Sequence, residues 1–299
     1  MTATAQLALE ARLEVLKLNE LPAVPVVAQQ IMHTISDPEC QINTLAELIE
    51  QDPALLARVI GVANSAYFSP STPILNAHDA IFKVLGLNTT KSLVLAIILS
   101  GPFDISRCPA FCPEDFWLES VFSATLAQTI APLIQIEPKP DSGAPYLAAL
   151  LLRIGVLAMV HVYPKEMGLI LNEMRRQTLC KPEMLFELER DRLGVTHGEV
   201  GAWLGRRWHL PAMIIEVIEQ QFDPERRGQH WPLAMLVGFC ARWAATAVRG
   251  GGDEEYPSLT ELTPLGVDIA QAGNKLGTVA LKLDELRALA QRFADSAHG

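Results

Sequence analysis

Cysteine, charge and long apolar runs are all scarce in this chain, and each scarcity closes off a class of function. Its five cysteines, Cys40, Cys108, Cys112, Cys180 and Cys240, are odd in number and scattered, so they make no disulfide framework and suit a reducing cytoplasm. Cys108 and Cys112 flank Pro109-Ala110-Phe111, but no second Cys or His pair follows at zinc-finger spacing, which leaves a metal reading of that pair weak. The longest greasy run, Ser92 to Ser100, is too short to span a bilayer. The start, Met1-Thr2-Ala3-Thr4-Ala5, lacks the basic segment and apolar core of a secretory signal, so a cytoplasmic protein that does not use a membrane is expected. Charged residues make up 19% with a formal net charge of −10, which argues against nucleic acid as a partner. Also missing are GxxxxGK[ST], GxGxxG after a strand and GxSxG, so neither a phosphate loop, a dinucleotide fold nor a serine nucleophile is indicated. No cofactor is implied.

What is present is apolar residue at helical period. Hydrophobic residues make up 49% of 299, enough for a large core. Residues 7 to 18 read as a short amphipathic helix, an accessory within residues 1–20, and Val26 to Ile35 reads as another. Asn43 or Thr44 is expected to cap a helix through Ile49. Asp52-Pro53 is a stronger start, because Asp accepts orphan N–H groups and Pro at the first helical position gives up no hydrogen bond. Leu87 to Ser100 reads as a buried helix, and Pro113 opens a long one expected to reach Gln135. Tyr146 to Val160 is almost wholly apolar with Arg153 as its one charge, so a single buried helix is expected there. Thr196-His197-Gly198-Glu199 has the form of a capping box, which gives His197 a structural reading at a helix N-terminus. Helices are further expected over Pro164 to Gln177, Lys181 to Leu193, Pro211 to Gln221, Trp231 to Val248 and Leu283 to Phe293. The region after residue 250 carries a weaker signal.

Several landmarks then fall into a recognisable order. Leu21-Pro22 with Pro25, Asp52-Pro53-Ala54-Leu55, Asn64-Ser65-Ala66 with Phe68, Ala80-Ile81 with Leu85-Gly86, and Thr196-His197 with Glu199-Val200-Gly201 stand in sequence. In residue type and spacing the set resembles the HD-related output domain (HDOD) of bacterial signalling proteins, a branch of the HD metal-phosphohydrolase superfamily. The resemblance covers roughly residues 20 to 285. It implies an all-α multi-helix bundle, with an N-terminal helical lobe (21–103), an HD-like lobe (114–249), a loop and C-terminal region (250–285), and a helix end and tail (286–299). It marks Asp52, Pro53, Asn64, Ser65, Gly86, Thr196 and Glu199 as structural residues of the family pattern.

The resemblance also implies a subtraction. The superfamily would place His where Glu119 stands, a His-Asp pair at Arg153-Ile154, His at 197, His at or next to Gln221, and Asp at Ala241. Only His197 is retained, and one imidazole with one carboxylate is too few donors for a divalent centre. An Arg153–Glu119 ion pair is expected in the vacated place. The literal pair His78-Asp79 precedes the first ligand position and reads as a solvated helix start. The expectation is therefore a non-catalytic regulatory protein without metal. It would contact other signalling proteins, among them cyclic-di-GMP turnover enzymes or response regulators, in cyclic-di-GMP or stress signalling, with homo-oligomerisation left open. The alternative is a sensor holding a nucleotide in the vestigial cleft through Glu119, Arg153, His197 and Gln221. A metal-dependent phosphohydrolase with rearranged ligands is the third reading.

Overall fold

Apolar residues that recur at helical spacing on nearly every segment leave no surface for a sheet, and the computed structural model is correspondingly helical. It describes residues 29–32, 34, 41–176, 182–221 and 228–294, with no strand among them. The expected helix at residues 7 to 18 lies outside these, and that at Val26 to Ile35 is described only at 29–32 and 34, which are helical.

The N-terminal lobe begins with α1 (Ile42–Glu50) and α2 (Pro53–Ala63). Helix α1 has Gln41 at its N-cap, ahead of the expected Asn43 or Thr44, which fall inside its first turn. Asp52 caps α2 as expected, its Oδ1 accepting from the N–H groups of Ala54 (2.9 Å) and Leu55 (3.1 Å). Asn64 closes α2 by clamping a loop: its amide donates to the carbonyl of Ile74 and accepts from the Ile74 N–H, both at 2.8 Å. A short helix α3 (Ala77–Asp79) widens into a π turn over Ala80–Leu85. The turn closes with the Gly86 N–H donating to the Ile81 carbonyl at 2.9 Å. Gly86 has φ 74°, a left-handed conformation that favours glycine. Helix α4 (Leu87–Ser100) follows, buried as its composition requires.

The second lobe is organised around α5 (Pro113–Ile130), in which Phe116, Trp117, Leu118, Val121 and Phe122 are all buried. It ends five residues before the expected Gln135, because Pro132 has no N–H to continue the ladder; residues Ala131–Leu133 tighten to a 3-10 turn. The expected single helix over 146–160 is instead two, α6 (Ala144–Leu151) and α7 (Ile154–Val162), broken at Leu152 and Arg153. The break lets a charged residue leave an otherwise apolar run. Then come α8 (Pro164–Arg176), α9 (Pro182–Leu193), α10 (His197–Arg207), α11 (Ala212–Gln220) and α12 (Trp231–Arg249).

After α12 two 3-10 turns, Asp253–Glu255 and Leu259–Leu265, lead to α13 (Ile269–Ala280), a helix the sequence pattern did not suggest, capped by Asp268. Helix α14 (Leu283–Ala294) runs straight through the expected division at residue 285. It lies along α5, with Phe293 stacked on Trp117 at 4.9 Å between ring centroids. Helices α6, α12, α13 and α14 all pack against α5, so one continuous apolar core joins both lobes. The stretch Ala144–Val162 and helix α12 are each apolar and long enough to cross a membrane, longer than the run noted in the sequence. Both are mostly buried within the bundle, which accounts for their composition.

Candidate functional site

Glu119, Arg153, His197 and Gln221 come from four separate parts of the chain, and all four line one cavity of about 200 Å³. Each reaches it for a local reason. Glu119 lies on α5; Arg153 occupies the break between α6 and α7; His197 is the first residue of α10; and Gln221 ends α11. Ala241 of α12, where the superfamily would carry Asp, lines the same cavity. Ile154, the other lost ligand position, is buried in the apolar core.

Two close backbone approaches hold these elements in place. At Gly155 an added Cβ would sit 1.9 Å from the His197 carbonyl oxygen, so α7 crosses the start of α10 with no room for a side chain. At Gly238 it would sit 2.3 Å from the Gln221 carbonyl, fixing α12 against the end of α11.

On the inner wall His197 is 2% exposed and Glu189, from α9, is fully buried. The Glu189 carboxylate accepts from the His197 backbone N–H at 2.8 Å and lies 2.9 and 3.0 Å from ring Nδ1. A carboxylate there places a proton on Nδ1 and fixes the ring. Phe186 packs edge-on against the ring at 4.3 Å. The expected capping box is present: Glu199 accepts from the Thr196 N–H at 2.9 Å, and Thr196 Oγ1 accepts from the Glu199 N–H at 3.3 Å. Gln221 is 4% exposed; its Nε2 donates to the Ile218 carbonyl at 3.0 Å, while its Oε1 is buried with no hydrogen-bond partner among the described residues.

On the outer wall Arg153 donates to the Glu119 carboxylate, the ion pair that the sequence leads one to expect. The two side chains are 22% and 17% exposed. The guanidinium also lies over the Phe116 ring, 5.7 Å from its centroid. Removal from water pushes the Arg153 pKa down to about 10, opposed by the nearby charge of Glu189; the group still carries its charge at neutral pH. Asp115, Arg175 and Arg249 complete the charged lining, and all three are exposed.

These residues do not fit a divalent metal. His197 could offer its Nε2, since a carboxylate on the far nitrogen is the usual support for a metal-bound imidazole. A carboxylate lining the same cavity, Glu119, is already bound to a guanidinium, whose positive charge repels a metal ion. Among the described residues no group of three His, Cys, Asp or Glu is arranged to hold one. His78 and Asp79 stand apart from the cavity. Their side chains are 50% and 30% exposed, Asp79 pairs with Lys83 at 2.9 Å, and His78 stacks on Phe82. Cys108 is buried and Cys112 lines the outer wall, both free thiols.

Glu189, Arg175 and Arg249 were not foreseen from the sequence. A buried histidine at a helix start requires an acceptor for its ring N–H, which was the available signal for Glu189; the two arginines read only as helix-end charges.

Known proteins agree with this architecture. A protein of Treponema pallidum (strain Nichols), described as uncharacterized, is 26% identical over 228 residues, which are 75% of this chain and 42% of that protein. The chain thus spans less than half the length of that relative. A crystal structure from Marinobacter aquaeolei VT8, named for signal transduction, superposes with a TM-score of 0.79 at 25% identity, over 92% of this chain and 60% of that one. An HDOD domain protein from Geobacter sulfurreducens has the same fold, with a TM-score of 0.69 at 24% identity over 93% of this chain and 98% of that one. So has a protein from Shewanella amazonensis SB2B named as a phosphohydrolase, with a TM-score of 0.68 at 23% identity, over 94% and 96%. The HDOD domain pattern itself matches residues 21–224, and the chain belongs to the HDOD family.

Proposed function

We propose that the chain is a non-catalytic regulator in bacterial signal transduction, acting in the cytoplasm through contacts with other signalling proteins. Membership of the HDOD family and the signal-transduction name of the Marinobacter structure support the regulatory role. The observation that carries the non-catalytic part is the Arg153–Glu119 pair, which puts a cation and its counter-ion where metal-binding donors would be needed. Cyclic-di-GMP turnover enzymes and response regulators are the partners to which the family resemblance points. The phosphohydrolase name on the Shewanella fold defines the competing reading. Purified protein incubated with Mn²⁺ or Mg²⁺ and a phosphodiester is expected to release product no faster than buffer. Turnover that disappears in Glu119→Gln would overturn the proposal.

A second reading, a sensor that holds a small ligand in the cleft, is favoured by one feature: the cavity has not been filled by larger side chains in the absence of metal ligands. The two readings are compatible, since a ligand bound only by the folded state shifts any equilibrium in which that state takes part.

A further inference from the structure

The cavity combines three properties that together define a ligand class. Its charge runs against that of the chain. In a protein of net charge −10, the cavity is lined by three arginines, Arg153, Arg175 and Arg249, and by two acids, Asp115 and Glu119. Arg153 and Glu119 neutralise each other. Arg175 and Arg249 are exposed at the rim and make no ion pair with any described residue.

Its walls between rim and floor are apolar, with Phe111, Phe116, Val156 and Leu171 among them. At the buried end the Gln221 Nε2 is held by the Ile218 carbonyl, and its Oε1, closed to water, has no hydrogen-bond partner among the described residues.

Size narrows the class further. An apolar cavity of about 150 Å³ holds one benzene ring, so about 200 Å³ takes a single or fused ring and excludes two purine bases enclosed together.

We infer that the cavity binds a small organic anion without metal. A ring-sized body sits between the apolar walls, and a phosphate or carboxylate is held at the rim by Arg175 and Arg249. The inference rests on the sensor reading given above and narrows it. Guanidinium groups recognise both anionic heads through paired N–H donors, so the head group is distinguished by experiment.

The experiment is thermal shift and calorimetric titration of the full chain in EDTA at millimolar probe. The probes are guanosine monophosphate against guanosine, indole-3-acetate against 3-methylindole, and cyclic-di-GMP. Stabilisation by one of the two anions, with its neutral counterpart silent, is the expected result and identifies the head group. Arg175→Gln with Arg249→Gln should weaken that binding at least about tenfold. Ala241→Leu, which fills the cavity, should abolish it, and the rim variant should melt as the parent does without ligand. Equal binding of the neutral probes would overturn the anion assignment while keeping the sensor reading. Binding of cyclic-di-GMP that Ala241→Leu removes would overturn the size argument. Silence of every probe, or binding that the rim variant leaves unchanged, would overturn the inference and leave the protein-contact proposal standing.

Discussion

Two acid–base pairs stand at the same cavity, one reaching it through His197 alone and the other through both partners, and they differ in exposure and in how they are held. His197 lines the inner wall with Glu189 behind it, their side chains 3% and 0% exposed, and the carboxylate is bound both to the ring and to the backbone N–H of the same histidine. Arg153 and Glu119 form the outer wall at 22% and 17% exposure, joined through flexible side chains alone. The inner pair is tied to a helix start that is also held by a capping box and a glycine crossing. It is scaffold. The outer pair stands where water still reaches, beside two arginines that make no ion pair with any described residue, and is the part that a ligand could rearrange.

That contrast can be broken or sharpened by substitution. The largest effect is expected at the inner crossing: Gly155→Ala must push α7 off the His197 carbonyl and should cost at least about 4 kcal/mol in urea unfolding. A loss below about 1 kcal/mol would mean that the two helices are not locked there. Next, Glu189→Ala leaves the buried imidazole without its acceptor and should cost about 3 kcal/mol. Glu119→Ala should cost less, about 1–2 kcal/mol, because Arg153 retains partial hydration and other nearby acids. Equal losses in the two variants would erase the distinction between the walls.

The smallest effect concerns pH. Burial pushes the Cys240 thiol up from its ordinary value of 9.0, so the folded state keeps a proton that the unfolded chain releases. The associated stability is complete below pH 9 and falls as pH rises above it, by about 1.4 kcal/mol per pH unit at most. Cys240→Ala should flatten that decline in unfolding measured between pH 8 and pH 10 (roughly 1 kcal/mol at the upper end). An unchanged slope would show that Cys240 is not the group responsible. Arg153 acts in the opposite sense only above about pH 10, where its lowered pKa makes deprotonation favour the fold.

The parts of the fold that could be read from the chain are those set by local chemistry. Asp52-Pro53 and Thr196 with Glu199 announce helix starts because their side chains satisfy backbone groups within three residues. Helix α4 declares itself by being apolar on all sides. The break at Arg153 was missed because an apolar run carries no mark of where tertiary packing will interrupt it. Helix α13 was missed because Asn274, Thr278 and two glycines, Gly273 and Gly277, dilute its pattern; its buried face is only Ala272, Leu276 and Val279.

The site divides in the same way. Its four expected residues and the Arg153–Glu119 pairing were accessible through the family resemblance. The partner of His197 and the rim arginines were not, because each lies on a helix whose own sequence gives it an ordinary role. A chain of amino acids determines its helices and their caps through interactions a few residues long, and so determined that this protein is helical. Which charges meet across a cavity depends on how those helices cross, over separations of tens of residues. Only the tertiary structure decided that Glu189 backs His197 behind the inner wall and that two arginines stand at the outer one.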